Sequence, residues 1–401
     1  MSTIAVLGTL DSKADEHSFV AEKISACGHE VALIDVGTGA EPGVQPTYTR
    51  YDVAAAIGLD LDTLIDGRDR GKCVVAMSQA APAFLSKLFV EGKIDGVISL
   101  GGGGGTAIAT AAMRALPIGF PKLMVSTLAS GNTAHYVGTK DITMMPSIVD
   151  VSGLNRVSRM IFARAAGAIC GMVDAVVDEG VSKPVIVASM FGNTTTCVNH
   201  AKVILEDAGY EVLVFHSTGS GGKAMESLIE SGMVSGVLDI TTTEWADEVV
   251  GATLSAGPTR MDAMTKAKIP TVVVPGCVDM ANFGARETVP QQFEGRNFYI
   301  HNPQVTLMRT NADECSEIGR ILATKANANE APVVILNPLK AVSEINGAGQ
   351  VFYDPEADKA LFDAIHEHAT VDVVDMDEAI NSNAFAEACA EKLLELIRRS
   401  N

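Results

Sequence analysis

The chain has 401 residues, 47% hydrophobic and 20% charged, which suits two packed cores better than one. Its formal charge of −19 excludes a broad nucleic-acid or anionic-membrane surface, since both demand a basic face. A small anionic ligand is not excluded, because backbone N–H groups supply a local positive field whatever the net charge.

Residues 3–8 (TIAVLG) read as a first strand, 14–27 as a helix and 30–36 as a second strand. The stretch 38–70, rich in Gly, Pro and Asp, reads as an insertion. A helix through 79–92 leads to a strand at 95–100, the run GGGGGT, a helix at 106–115 and a strand at 122–127. Short apolar strands bounded by glycine and separated by helices of ten or more residues imply βαβ units and a parallel sheet. An Ala/Gly-rich helix at 155–176 and a turn at 178–184 join this half to the next. The small-residue stretch 160–172 of that helix suits close packing, either inside the chain or across a dimer.

The second half repeats the first. CGHEVALIDVGTG (27–39) matches AGYEVLVFHSTGS (208–220) at an offset of 181, and IAVLGTLDS (4–12) matches VIVASMFGN (185–193) at the same offset. Further on, IDGVISL (94–100) resembles VSGVLDI (234–240), and FPKLMVST (120–127) resembles IPTVVVPG (269–276). The expected fold is therefore α/β: two successive Rossmann-like, doubly wound parallel-sheet domains related by internal duplication, at 1–178 and 179–401. A strand at 332–336 and helices at 356–367 and 384–399 repeat nothing earlier and fall to the second domain.

The sharpest local signal is Gly101, Gly102, Gly103, Gly104 and Gly105 followed by Thr106, between a strand and a helix. Five glycines let the backbone approach a ligand, and the helix N-terminus adds partial positive charge. The pattern is neither a GKS/T phosphate loop nor a GxGxxG fingerprint; its other reading is a tightly packed turn. The loop Gly8–Lys13 also leaves a strand's carboxyl end. There Lys13 could meet a phosphate and Asp11 could hold Mg²⁺ or a ribose hydroxyl, unless Asp11 or Ser12 simply caps the helix. After the fourth strand, Ser126, Ser130, Gly131, Asn132 and Thr133 can donate to phosphate oxygens; His135 and Asp141 follow.

In the second half STGSGGKAME (217–226) is another glycine-rich turn, and Glu244, Asp247, Arg260, Asp279, Asn282, His301 and Arg309 are the polar residues of interest. Guanidinium groups pair bidentately with carboxylate or phosphate, making Arg260 and Arg309 the best anion forks. Strand-end polar residues of both domains are expected to face one interdomain cleft. The eight histidines are dispersed and HExxH is absent, which speaks against zinc. The seven cysteines never fall in a CxxC spacing, as expected of reduced thiols. The start MSTIAVLGTLDSK enters a strand directly and no run reaches the ~20 apolar residues of a membrane span, so the expected location is cytoplasmic, with no membrane contact.

GTLDSK (8–13), SLGGGGGT (99–106), STLASGN (126–132), TTTEWADEVVG (241–251), SAGPTRMDA (255–263), PGCVDMANFG (275–284), HNPQVTLMRT (301–310) and FYDPEADKALFDAI (352–365) carry a family resemblance over nearly the whole chain. The chain resembles bacterial proteins related to the ATP-binding domain of a plant tobamovirus-resistance protein. That resemblance implies two Rossmann-like subdomains, a nucleotide site and a homodimer. In relatives the module is often joined to a TIM barrel resembling phosphoenolpyruvate hydrolases, which implies a separate TIM-barrel partner here.

The leading expectation is an ATP-binding protein serving an enzymatic step on a small carboxylate or sugar acid. Phosphates would lie on Gly101–Gly105 and Thr106, with Ser126, Ser130, Gly131 and Asn132 opposite, Lys13 neutralising charge and Asp11 or Asp141 placing Mg²⁺. Arg260, Asp279, Asn282 and Arg309 would bind substrate, and His135, Glu244 and His301 would transfer protons. Two other readings stay open: a nucleotide-dependent regulatory module without turnover, and an enzyme acting on a phosphorylated or carboxylated metabolite without ATP.

Overall fold

A computed structural model describes residues 1–176 and 183–400. The chain divides into two compact units, Met1–Glu179 and Gly180–Asn401. The expected turn at 178–184 lies largely outside the described residues.

The N-terminal unit runs β1 (Thr3–Gly8), α1 (Ala14–Ala26), β2 (Glu30–Asp35), α2 (Arg50–Ala55), α3 (Leu61–Asp66), α4 (Arg70–Val90), β3 (Gly96–Gly101), α5 (Gly103–Arg114), β4 (Lys122–Ser126), α6 (Ala134–Val137), β5 (Thr143–Pro146) and α7 (Arg156–Asp174). The strands form one parallel sheet in the order β2-β1-β3-β4-β5. β1, β3 and β4 are apolar and buried almost throughout, as a sheet covered on both faces requires. Met77, Ala80, Ala81, Phe84, Leu85 and Leu88 of α4 pack with Ile108, Ala112 and Met113 of α5 on one face. Val20 and Ile24 of α1 join Phe162, Ala165, Ala166, Ile169 and Cys170 of α7 on the other. The small-residue face of α7 is thus used inside the unit. Among the described residues one helix, α4, is long and apolar enough to cross a membrane by length and composition, where the sequence had suggested none, and much of its apolar face is spent in this core.

Side chains punctuate the insertion. Thr49 and Asp52 form a reciprocal cap on α2, while Asp60 and Asp69 cap α3 and α4. These caps explain why a stretch that reads as loop carries two short helices and starts α4 at Arg70, well before the expected residue 79.

The C-terminal unit runs β6 (Val185–Met190), α8 (Thr195–Asp207), β7 (Glu211–His216), α9 (Ser220–Glu230), β8 (Val234–Thr241), α10 (Glu244–Val250), α11 (Asp262–Ala267), β9 (Thr271–Gly276), β10 (Met280–Phe283), β11 (Phe298–Asn302), β12 (Val305–Arg309), α12 (Ala312–Asn327), β13 (Val333–Pro338), α13 (Pro355–His368), β14 (Asp372–Met376) and α14 (Asn383–Ser400). Its parallel sheet has the order β14-β13-β9-β8-β6-β7. Apart from the extra strand β14, this is the N-terminal order repeated, with β6 standing for β1 and β8 for β3. The duplication reaches the helix ends: Gly28 after α1 and Gly209 after α8 take φ of +93° and +96°, the left-handed turn that lets the chain re-enter the sheet. The antiparallel sheet β10-β12-β11 was not foreseen.

Candidate anion site at the switch point of the N-terminal sheet

In the order β2-β1-β3-β4-β5 the chain leaves β1 toward one edge and β3 toward the other. Loops at the carboxyl ends of those strands diverge, leaving a crevice at the switch point. Thr9, Asp11, Ser12 and Lys13 after β1 and Gly102–Gly105 after β3 line the same cavity, of about 700 Å³. That volume lies within the range of small-molecule sites.

The first loop is held from beneath. The buried Asp35 carboxylate, at the end of β2, accepts from the Leu10 N–H at 3.1 Å, the Gly37 N–H at 2.8 Å and Arg50 Nε at 2.9 Å. Arg50 Nη2 also donates to the Ala40 carbonyl at 2.8 Å, fixing the loop after β2. Asp11 Oδ2 accepts from the Gly39 N–H at 2.6 Å, and Lys13 Nζ donates to the Val151 carbonyl. Both side chains still line the cavity. His17, buried on α1, lies directly under Gly8: a Cβ there would meet its ring at 2.1 Å. Burial lowers the pKa of His17.

The five glycines divide by role. A Cβ on Gly101 would sit 3.0 Å from Gly105 Cα, so packing alone demands that glycine. At Gly102 the nearest atom would be 3.7 Å away, and at Gly103 nothing lies within 4 Å. Neither has positive φ, so neither packing nor backbone conformation requires them. α5 begins at Gly103 with no side-chain cap, and its first amide bond runs from Thr106 N to the Gly102 carbonyl at 2.8 Å. The N–H groups of Gly103, Gly104 and Gly105 are therefore left without a partner among the described residues. Thr106 and Ser126 do not face this cavity: their hydroxyls bond each other at 2.7 Å, both fully buried, tying α5 to β4.

Ser130 lines a second, smaller cavity of about 310 Å³, which shares Asp150 with the first. Gly131 and Asn132 are exposed; Asn132 Oδ1 accepts from the Ala134 N–H at 3.1 Å. His135 is exposed on the short α6, its ring 3.9 Å from that of Tyr136. Asp141 requires correction. It pairs with buried Lys122 at 2.7 Å, where β4 starts and before β5, at the amino ends of the strands. A strand's length thus separates it from the glycine loop, and it is not placed to hold a Mg²⁺ on phosphates bound there.

Of the polar residues of the second half, Arg260, Glu244 and Arg309 are consumed by the fold. Arg260 is buried and donates to Asp239 at 2.7 and 2.8 Å, Glu244 at 2.7 Å and Glu226 at 3.2 Å. Burial works against its charge, yet those carboxylates hold the guanidinium well above its ordinary pKa. Glu244 Oε1 also accepts from the N–H groups of Gly219 and Gly222, at 2.7 and 3.1 Å. Arg309 bonds Asp358 at 2.6 Å and the Phe352 carbonyl at 2.8 Å. Asp279 accepts from Ser343 at 2.8 Å, and burial pushes its pKa to about 6 despite Arg309. Asn282 donates to Asp247 at 2.7 Å, and burial pushes Asp247 to about 7. A group already satisfied inside the fold is not a free anion fork or proton donor, so Arg260, Arg309 and Glu244 lose those expected roles. His301 is exposed on the outer strand β11 and is not brought to Glu244.

Sequence reasoning passed over Arg68, Arg70 and Asp150, which line the cavity, and Asp35 and Arg50, which support it. The run GRDR (67–70) was the available signal.

The geometry defines a duplicated doubly wound α/β protein with a glycine-rich loop and an uncapped helix N-terminus opening onto a cavity at one switch point. The chain belongs to the UPF0261 family: the model of the uncharacterised protein family (UPF0261) N-terminal domain matches residues 2–178, and that of its C-terminal domain residues 183–397. A UPF0261 protein of Clostridium tetani is 49% identical, over 99% of both chains. The ToMV resistance protein Tm-1(GCR237) of Solanum lycopersicum is 38% identical, over 98% of this chain and 56% of that protein. A UDP-N-acetylglucosamine 2-epimerase structure from Rickettsia bellii overlaps at 10% identity and a TM-score of 0.22, covering 67% of this chain and 78% of that one, too loosely to carry an argument.

Proposed function

We propose that the N-terminal unit binds the phosphates of a nucleotide, ATP by the family resemblance, in the cavity between the β1 and β3 loops. The observation that carries this reading is Gly103. Gly102 is the N-cap of α5, where glycine is itself a favoured residue. At Gly103, the first helical residue, glycine costs up to about 1 kcal/mol against alanine, and neither packing nor a positive φ requires it. What the glycines supply is access: N–H groups at the positive end of a twelve-residue helix, open to a ligand-sized space.

In this reading phosphate oxygens accept from the N–H groups of Gly103, Gly104 and Gly105, while Lys13 offsets charge beside them. Among the described residues no cluster of three or more His, Cys, Asp or Glu could hold a metal alone. A nucleotide-borne Mg²⁺ would take Asp11, with the phosphates supplying further oxygens. The partner substrate is a small carboxylate or sugar acid. The protein acts in the cytoplasm as a homodimer, with a TIM-barrel domain as partner, as the family resemblance implies.

A thermal-shift series with Mg-ATP, ADP, NAD(P), phosphosugars and small dicarboxylates tests this. ATP at 100 times its Kd should add about 2.7 kcal/mol of stability, and Gly103→Asp, which puts a carboxylate where the phosphate would lie, should remove the shift. An unchanged ATP response in that variant would exclude the cradle, and a response to organic acids alone would move the site to metabolite chemistry.

A further inference from the structure

The cavity's outer wall comes from the segment that interrupts the first repeat, and it carries two guanidinium groups, Arg68 and Arg70. The chain has 49 acidic side chains against 30 basic ones. Arg50, Arg260, Arg296, Arg309 and Arg320 pair with carboxylates. Arg114, Arg156, Arg159 and Arg164 do not among the described residues, but of the unpaired arginines it is Arg68 and Arg70 that line the cavity. Among the described residues, neither Arg68 nor Arg70 lies within ion-pair distance of a carboxylate, although both are exposed and long enough to find a partner.

Both positions also run against local preference. Arg70 is the first residue of the 21-residue helix α4, where the macrodipole disfavours a cation. Arg68 holds φ of +49°, a left-handed conformation that a side chain with a Cβ adopts at a cost. A strained arginine and a misplaced arginine, unpaired in an acidic chain, open onto the same space as three unpaired N–H groups.

We infer that Arg68 and Arg70 bind the ligand, clamping a second anionic group beyond the one on the α5 N-terminus, so that the site selects polyphosphates over monophosphates. This rests on reading the cavity as a phosphate site. The amides of α5 suffice for one phosphate; the arginine pair adds charge-assisted, forked donors for the next. Asp11 and Asp150, elsewhere in the lining of the same cavity, oppose binding of a bare polyanion and favour one that arrives with its cation.

The test is calorimetric titration of the full chain with Mg-ATP, Mg-tripolyphosphate and AMP. Arg68→Ala/Arg70→Ala should weaken ATP and tripolyphosphate by roughly 10- to 100-fold, as loss of charged hydrogen bonds does, and leave AMP within about threefold. ATP binding at wild-type strength in the double variant overturns the inference and leaves the cradle standing. Equal losses for ATP and AMP overturn the second anionic group. If the wild-type chain binds none of the three, the cradle itself fails and the arginine clamp with it. Arg68→Gly separates ligand from fold: relieving the strain should keep or raise the unliganded melting temperature while ATP affinity falls, and a lowered melting temperature would make Arg68 structural.

Discussion

The glycine-rich turn after β3 in the N-terminal unit and that after β7 in the C-terminal unit differ in how their N–H groups are met. In the C-terminal unit the N–H groups of Gly219 and Gly222 close on the carboxylate of Glu244, itself held by Arg260. In the N-terminal unit the N–H groups of Gly103, Gly104 and Gly105 face a cavity, with no carboxylate of the described chain accepting from them. Each turn creates the same positive concavity. What separates the filled turn from the open one is that an acidic side chain of the same unit reaches only the first.

The largest expected effect comes from breaking the filled turn. Arg260→Ala would leave Asp239, Glu244 and Glu226 buried around a missing cation, and removing one partner of a buried ion pair costs about 3–5 kcal/mol. Trp245, the chain's one tryptophan, is buried in this unit and reports its unfolding. A urea midpoint by Trp245 fluorescence should fall sharply, and a wild-type midpoint would mean that Glu244 is not held as an internal anion. Next comes Gly222→Ala, whose Cβ would lie 2.2 Å from Glu244 Oε2. Overpacking of that kind reaches about 3 kcal/mol, visible in the same experiment.

That pair of variants also shows where sequence reading stopped. The strands were legible because β1, β3 and β4 are unbroken apolar runs, and the duplication because Gly28 and Gly209 end equivalent helices. The start of α5 was placed at residue 106 because three glycines conceal a helix turn from any propensity argument. Glu244, Arg260 and Arg309 looked like ligand groups because a strand-end charge has the same letter whether it meets a ligand or another side chain. Arg68 and Arg70 were passed over because in a loop-like stretch they read as ordinary solvated charge, and nothing in the local sequence says that they line a cavity. Only burial and pairing tell these cases apart, and neither is local in sequence.

The acids buried in the C-terminal unit sharpen the contrast through pH. Asp247 sits at about 7 in the folded chain, raised by burial above its ordinary value of 3.8. The folded state therefore binds this proton more tightly than the unfolded chain does, so stability rises as pH falls from about 7 toward 4. Asp279, raised to about 6, acts in the same direction over a lower window. Together they should make the chain measurably more stable at the acid end of that range than at neutral pH. Asp247→Asn should fold, because Asn282 can turn its buried, unpartnered Oδ1 toward the new amide. Its Trp245-detected stability should depend less on pH than that of the wild type, and an unaltered profile would remove Asp247 as a source.

The smallest effect is the most telling about the open turn. Gly103→Ala places a methyl group where no atom lies within 4 Å, at a position whose backbone any residue can adopt. Alanine is the better helix former and restricts the unfolded chain, so the unliganded protein should gain up to about 1 kcal/mol. Gly222→Ala, the same substitution in the filled turn, should do the reverse. A stabilised Gly103→Ala variant with weakened ATP binding would mean that the open turn keeps its glycine for a ligand and against the interest of its own helix. A destabilised one would mean that the first turn of α5 is a packed element like its counterpart, and the difference between the two turns would disappear.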